Sequence, residues 1–269
     1  MKSHSQFPLS ETYKGNSLHH FGKTALSLFL LVYSAELFAI VNGEPIKSDF
    51  PVVRLTFKNN SHVCTGVFID PYTILTAAHC LSDKKTWPGF SLELESIRNK
   101  EDQLLDIRQI KNLPHPKFSY HWTGNKFDIG IIKTSEFQYH SNFPKIIASQ
   151  DEIGNNGILY GCGRTGIETK ELRCLQGENK IHTIFGYVVT IGVSSHSKKR
   201  GERVSVAPND SGGPTLDSSS GKIIGIHWGT WLSPRTARWG IWIPSFMTFL
   251  GNDDSYKFVR SHLGKTGTE

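Results

Sequence analysis

The sequence lacks the features that would place it in several structural classes. Its 269 residues contain no internal repeat, heptad pattern or low-complexity tract, which argues against solenoids, coiled coils and disordered tails. It has no apolar run of the roughly 20 residues that a transmembrane helix needs. Charge of one sign is not in large excess, and the net charge of +6 does not imply a nucleic-acid partner.

The N-terminal segment has the pattern of a targeting signal. An apolar run extends from Ala25 to Ala35 after Lys23, which fits the hydrophobic region of a secretory signal peptide. Ala35 and Ala39 each provide a small residue before a cleavage point. Residues 1–39 are therefore predicted to be a signal or pro segment whose removal leaves no stable membrane insertion. The alternative is an uncleaved membrane anchor.

Cysteine is scarce, and its number is even. The four residues are Cys64, Cys80, Cys162 and Cys174. An even count after a signal-like segment indicates disulfide bonds and an oxidising compartment. The protein is expected to be secreted or periplasmic.

Short apolar segments separated by turn residues follow the N-terminal region. This spacing predicts an all-β barrel or sandwich, and a helix is expected only near the C-terminus, at Asp254–Leu263. The predicted strands are Val52–Phe57, Cys64–Ile69, Ile129–Ile132, Gly157–Tyr160, Tyr187–Val193, Lys222–Trp228 and Gly240–Ile243.

Four short motifs occur in a fixed order along the chain. They are Ile40–Gly43, Thr76–Cys80, Asp128–Lys133 and the run Asn209-Asp210-Ser211-Gly212-Gly213-Pro214. A serine hydroxyl is a poor nucleophile at neutral pH. It needs an imidazole to accept its proton and a carboxylate to orient that imidazole.

In their order and spacing these motifs resemble the trypsin/chymotrypsin-like serine proteases, from roughly Ile40 to the C-terminus. The resemblance implies two six-stranded antiparallel barrels with the active site between them, at about 40–145 and 146–269 in one peptidase domain. It also implies a monomer that needs no cofactor, acts on protein or peptide substrates and meets proteinaceous inhibitors. The acidic residues of Glu93–Asp106 match no calcium-binding pattern, so no metal is expected.

The same resemblance assigns the catalytic roles. Ser211 would be the nucleophile, His79 the general base and then acid, and Asp128 the orienting carboxylate. The backbone N–H groups of Asn209 and Ser211 would form the oxyanion hole. The family has Gly where Asn209 stands, and a flipped peptide there would remove one donor. The alternative to a secreted serine endopeptidase is thus a catalytically impaired homologue that acts as a binding module.

Activation is expected to depend on an ion pair. By resemblance, a free α-ammonium on Ile40 would pair with Asp210. The family usually has Arg or Lys before this residue, whereas Ala39 stands here. Cleavage by signal peptidase or by a protease that prefers small residues is therefore favoured over trypsin-type activation.

The resemblance also bears on the disulfides. It pairs Cys64 with Cys80, beside His79. A bond between Cys162 and Cys174 would cross a predicted hairpin and is not common in the family, which usually has Trp at the first of these positions. Two bridges frequent in animal members have no cysteines here.

The residues that set specificity at P1, the residue before the cleaved bond, leave several alternatives open. By resemblance, Ser205 lies at the base of the S1 pocket, and without an acidic residue there trypsin-like specificity is disfavoured. Gly229 and Gly240 as pocket walls would admit a large apolar P1 residue. Alternatively, Gly225–Gly229 resembles the segment of bacterial glutamyl endopeptidases in which a histidine binds a P1 Glu, here His227. A third interpretation makes His227 a replacement for the family's Ser beside the catalytic aspartate.

Overall fold

Antiparallel strands are the main secondary structure of the described chain. The computed structural model describes residues 39–58, 63–82, 92–119, 127–135, 137, 143–164, 172–184, 187–193, 204–230 and 242–264. The strands of these residues are β1 Glu44–Pro45, β2 Val52–Phe57, β3 Val63–Asp70, β4 Thr73–Thr76, β5 Leu94–Arg98, β6 Gln109–Pro114, β7 Gly130–Thr134, β8 Asn156–Gly161, β9 Leu175–Ile184, β10 Tyr187–Val193, β11 Pro214–Asp217, β12 Ile223–Thr230 and β13 Trp242–Phe249. The described residues also form short 3-10 turns at Ala78–Cys80 and Gln150–Glu152 and one α-helix, α1, at Asp253–Ser261.

The first sheet has six strands in the order β5-β2-β3-β4-β7-β6. Its interior is filled by buried apolar side chains, because β-branched and aromatic residues pack well on a pleated surface. The largest fully buried ones include Leu55, Phe57, Phe68, Ile74, Leu75, Ile131 and Ile132. No ladder joins β5 to β6 within the described residues, so this sheet is a half-barrel.

The second sheet closes on itself. Its order is β1-β9-β10-β13-β12-β11-β8, and β8 also pairs with β9. Six strands, β8 to β13, therefore form a closed antiparallel barrel with β1 added at its edge. The all-β prediction with two six-stranded units is confirmed, and one of the two is closed.

The two ends of the domain cross over between the sheets. Strand β1 lies within the range expected for the first barrel, yet it pairs with β9 of the second. Helix α1 follows the second barrel but contacts the first, where the ring of Phe258 lies 4.7 Å from that of His115. The predicted C-terminal helix is confirmed, with bounds shifted by one or two residues. In the described part of the chain no helix is both long and apolar enough to cross a bilayer.

Helix α1 begins at a regular N-cap. The side chain of Asn252 accepts a hydrogen bond from the Ser255 N–H at 2.9 Å, which satisfies one of the free donors of the first turn. Asp253 and Asp254 stand in that turn, and Arg260 stands in the last. These charges complement the helix dipole at both ends.

Candidate active site

Strand pairing brings His79 and Asp128 together. Asp128 precedes β7 and His79 follows β4, and Thr76 of β4 is the partner of Gly130 of β7. The imidazole Nδ1 of His79 lies 2.7 Å from Asp128 Oδ2, and the His79 backbone N–H donates to Oδ1 at 2.8 Å. Asp128 is fully buried. Its carboxylate therefore favours the tautomer with a proton on Nδ1, in which Nε2 is the unprotonated nitrogen that acts as acceptor.

Ser211 lies in the turn before β11, next to the histidine. The sulfur of Cys80 is 3.8 Å from His79 Nε2 and 3.8 Å from the Ser211 carbonyl oxygen. The following residue, Gly212, has φ +86°. A Cβ there would lie 2.2 Å from the Thr65 carbonyl and from Thr76 Oγ1, so only glycine permits this close approach.

A tight turn at Ala207–Asp210 precedes the serine. The Asp210 N–H donates to the Ala207 carbonyl at 3.1 Å, and Asn209 has φ +75°. Proline at the second position and positive φ at the third are the features of a type II turn, whereas the flipped type I form would need negative φ at Asn209. Neither the Asn209 nor the Ser211 N–H donates to another residue of the described segments.

Asp210 is fully buried and accepts three backbone N–H groups. Its Oδ2 lies 2.8 Å from the nitrogen of Ile40 and 2.8 Å from that of Ala207, and its Oδ1 lies 3.0 Å from that of Gly163. Burial raises the pKa of Asp210 to about 7, although these hydrogen bonds act in the opposite direction. The Ile40 nitrogen is a neutral peptide nitrogen in the intact chain, so it supplies a dipole but no charge.

The backbone at Ile40 is unusual. Its φ is +43°, a region that β-branched residues rarely adopt. Both Ile40 and Ala39 are fully buried. Hydrolysis of the bond between them would remove the constraint on φ and leave a free amine facing Asp210.

Both expected cysteine pairs form disulfides. Cys64 is bonded to Cys80 and Cys162 to Cys174. The first bond links β3 to the turn that carries His79. Cys64, His79 and Cys80 also form the one group of potential metal ligands found among the described residues. Because both sulfurs are in a disulfide, they are not thiolate ligands.

Part of the expected S1 pocket is described. Ser205 is fully buried, and its carbonyl accepts the Val41 N–H at 2.7 Å. A Cβ on Gly229 would meet no described atom within 4 Å, so there is open space beside this residue. Gly240 lies outside the described residues.

His227 is fully buried inside the second barrel. Its Nε2 lies 2.7 Å from Thr215 Oγ1, and no atom of the described residues forms a hydrogen bond with its Nδ1. Burial lowers the pKa of His227 to about 3, and the Asp210 backbone acts in the opposite direction. The ring is therefore neutral at pH 7. Its hydrogen bonds in the described chain do not reach Asp128.

Several residues of the site carried no signal in the sequence. Thr65, Gly163, Ala207 and Thr215 all hydrogen-bond to residues that the sequence assigns to the site. The contacts of Thr65 and Gly163 arise from pairings between distant segments. Only adjacency to a cysteine or to the serine motif could have indicated them.

The comparisons with known proteins agree with this architecture. A family model described as Trypsin matches residues 40–248. Granzyme F of Mus musculus is 27% identical over 210 residues, which is 71% of this chain and 82% of that protein. Urokinase-type plasminogen activator of Gallus gallus is 31% identical over 110 residues, 37% of this chain. The alignment spans a quarter (25%) of the urokinase-type protein's length.

A solved structure of a Glu endopeptidase in complex with MPD has a similar fold. Its TM-score is 0.58, and the match covers 84% of this chain and 96% of that one. The sequence identity is 14%, so this likeness concerns the fold alone.

Proposed function

Because the chain belongs to the trypsin family of serine proteases, we propose that it is a serine endopeptidase that acts through an acyl-enzyme on Ser211. The observation that carries this proposal is the hydrogen-bonded pair of His79 and Asp128, with the backbone carbonyl of Ser211 against the same cysteine sulfur as the imidazole. A base held by an orienting carboxylate close to a serine suits acyl transfer.

The proposed reaction has two stages. Ser211 Oγ attacks the carbonyl carbon of the scissile bond while His79 Nε2 accepts the hydroxyl proton. The imidazolium is stabilised by Asp128 and donates that proton to the leaving amine as the C–N bond breaks. Water then attacks the acyl-enzyme with His79 again as base, which releases the carboxylic acid product and regenerates the serine.

The negative charge that develops on the carbonyl oxygen needs nearby donors. We assign this role to the backbone N–H groups of Asn209 and Ser211, which have no other acceptor in the described segments. The positive φ of Asn209 supports this assignment, because asparagine adopts the left-handed region more readily than most residues. One such donor contributes roughly 3 kcal/mol to transition-state stabilisation.

We propose that activity requires cleavage between Ala39 and Ile40. The new α-ammonium would pair with the buried carboxylate of Asp210, whose burial as an unpaired ion is costly. Ala39 suits signal peptidase or a protease that prefers small residues. Two disulfides are consistent with a secreted or periplasmic monomer that meets protein substrates and inhibitors.

A large apolar P1 residue is the proposed preference. Ser205 carries no charge, and burial keeps His227 neutral by lowering its pKa to about 3. A pocket whose described residues carry neither an acidic nor a cationic group favours apolar side chains over Arg and Lys. Open space beside Gly229 is consistent with a bulky residue.

One observation favours a second candidate, a P1 glutamate. The buried Nδ1 of His227 has no hydrogen-bond partner among the described atoms. A buried polar atom without a partner is uncommon, and a substrate carboxylate could occupy that position together with the hydroxyl of Ser205.

A library of internally quenched peptides with all P1 residues distinguishes these proposals. Cleavage after Phe, Tyr or Leu that persists in His227→Val supports the apolar pocket. Cleavage after Glu that is lost in His227→Val supports the glutamyl alternative. The Ser211→Ala variant is the control for contaminating proteases. A folded chain that begins at Ile40 and cleaves no peptide would instead support a binding module.

A further inference from the structure

Two positions where the sequence departs from the family pattern, Cys162 and Asn209, contact one side chain. The Cys162 N–H donates to Thr65 Oγ1 at 2.8 Å, and this hydroxyl donates to the Asn209 carbonyl at 3.4 Å. A threonine hydroxyl has a single proton to donate and accepts in return. Thr65 is fully buried, so water does not compete for these bonds.

The backbone of Thr65 contacts the same turn. Its N–H donates to the Ser211 carbonyl at 2.8 Å, and its carbonyl accepts the hydroxyl of Thr76 at 2.7 Å. Thr65 therefore binds the carbonyls on both sides of Asp210. Asp210 itself is held from the other direction by Ile40, so the turn is fixed between the two contacts.

We propose that Thr65 is a positioning residue for the oxyanion hole, and this inference rests on the function proposed above. Its hydroxyl holds the Asn209 carbonyl and its N–H holds the Ser211 carbonyl. The Asp210–Ser211 peptide, whose N–H is one of the two oxyanion donors, lies between these two carbonyls and is thereby held in orientation. Without the hydroxyl, one of the two contacts is lost and the Ser211 N–H is aligned less well with the substrate oxygen.

The Thr65→Val variant tests this role, because it keeps the shape and the backbone bond to Ser211 but removes the hydroxyl. We expect kcat to fall about 10-fold, part of the loss caused by removing a whole donor. KM should change by less than about 2-fold, since the oxyanion contact forms only in the transition state. Thr65→Ser restores the hydroxyl and should recover most of the activity.

Thr134→Val is the matched control. Thr134 is a fully buried threonine of β7 whose Oγ1 has no hydrogen-bond partner among the described residues. The kcat of the Thr134→Val enzyme should therefore equal that of the wild type. Rates are expressed per active site, titrated with a fluorophosphonate, so that unfolded protein does not count as slow enzyme. If Thr65→Val does not fold, Thr65→Ala takes its place with the same expectation.

A further measurement separates positioning of the donor from general structural support. The inhibition constant of a peptide aldehyde, which forms a tetrahedral adduct, should rise by the factor by which kcat/KM falls.

Either of two results overturns the role of Thr65: an unchanged kcat in Thr65→Val, or a lower kcat with an unchanged inhibition constant for the peptide aldehyde. A wild-type chain that starts at Ile40 and shows no turnover overturns the proposed function, and the role of Thr65 with it. The two failures are distinguishable because the wild type is measured in the same assay.

Discussion

At the scale of single residues, Asp210 connects its own turn to two distant segments of the chain. Its carboxylate accepts N–H groups from Ile40 and Gly163, and from Ala207 of the same turn. Because the turn that contains Asn209 ends at this carboxylate, its geometry depends on these segments. A change at any of them should act on catalysis as well as on stability.

The conformation of Asn209 leads to a prediction with two substitutions of opposite effect. Asn209→Gly removes a Cβ at φ +75° and should leave kcat within about 3-fold of the wild type. Asn209→Val places a β-branched side chain where positive φ is strongly disfavoured, so kcat should fall by about 100-fold or more. Steady-state kinetics of both variants on one peptide provides the check. Similar rates for Gly and Val would mean that the positive φ has no part in catalysis.

The buried Asp128 gives a second prediction at this scale. Asp128→Asn retains the size of the side chain but places an amide NH2 or an uncharged oxygen against His79 Nδ1. The imidazole would then favour the wrong tautomer, and kcat should fall by about 10⁴-fold at neutral pH. Unfolding by guanidinium chloride checks that the variant is folded. A loss below about 10-fold in a folded variant would remove Asp128 from the mechanism.

At the residue scale, the sequence indicates features that depend on neighbouring residues. It gives no sign of features that depend on contacts between distant segments. His79, Asp128 and Ser211 stand in motifs whose neighbours identify them. The burial of His227, which lowers its pKa, depends on the closed barrel around it and has no sequence signature. The hydroxyl of Thr65 acts on Asn209 across 144 positions of the chain, so no short pattern could indicate it.

At the scale of elements, each end of the domain is attached to the sheet formed by the other half of the chain. Strand β1 brings residues near the N-terminus of the domain to the second barrel, and α1 brings the C-terminus back to the first. The Nζ of Lys133, in β7, donates to Thr73 Oγ1 at 2.7 Å and to the His262 carbonyl just after α1. This buried amine therefore ties the helix to the first sheet.

Replacement of the Lys133 amine tests this connection between the helix and the first sheet. Lys133→Met keeps the apolar stem but leaves the Thr73 hydroxyl and the His262 carbonyl without their donor. The free energy of unfolding should fall by about 2–3 kcal/mol. Lys117→Met is the control, because Lys117 pairs with Asp254 at an exposed site and should cost at most about 1 kcal/mol. Equal effects in urea denaturation would show that the buried contact is no stronger than a surface pair.

Strands with a continuous apolar pattern were predicted well, and polar ones were missed. The predicted bounds of β2 and β10 agree with the structure. Strand β9 has the sequence LQGENKIHTI, which shows no apolar alternation, and it forms because β8 and β10 pair with its two edges. The last strand was expected at Gly240–Ile243 but continues to Phe249 through Pro244 and Ser245. Its neighbour β12, rather than local propensity, extends it.

At the scale of the whole molecule, the proposed activation couples the N-terminus to the active site. Ala39 and Ile40 are fully buried in the intact chain, so a protease cannot reach the bond between them while the segment is docked. We therefore expect cleavage to precede docking, and the released ammonium would then replace a neutral N–H facing Asp210.

The charge of Asp210 makes this coupling dependent on pH. In the uncut chain, burial raises its pKa from 3.8 to about 7, so the folded state binds this proton more tightly than the unfolded state. The stabilisation is complete below about pH 4 and is lost as pH rises to about 7. In a chain that starts at Ile40, the ammonium stabilises the ionised carboxylate of Asp210. Folding stability is then no longer lost as pH rises to about 7.

The melting temperatures of the two forms provide the check. The melting temperature of the cut chain, measured by calorimetry in one buffer system, should increase relative to that of the uncut chain as pH rises from about 5 to about 7.5. The cut form of Asp210→Asn, which has no carboxylate to pair, is the control and should show no such gain. A constant difference between the cut and uncut wild-type chains would contradict the proposed ion pair.

The intact mass of the processed protein, before and after a fluorophosphonate probe, is the most direct test of the proposed serine endopeptidase. We predict a chain from Ile40 to Glu269 that is lighter by four hydrogens, because both disulfides are formed, and that gains one adduct at Ser211. The Ser211→Ala variant should gain none. A correctly processed, folded chain that takes no adduct would contradict the proposed function and identify the protein as a protease homologue without an activated serine.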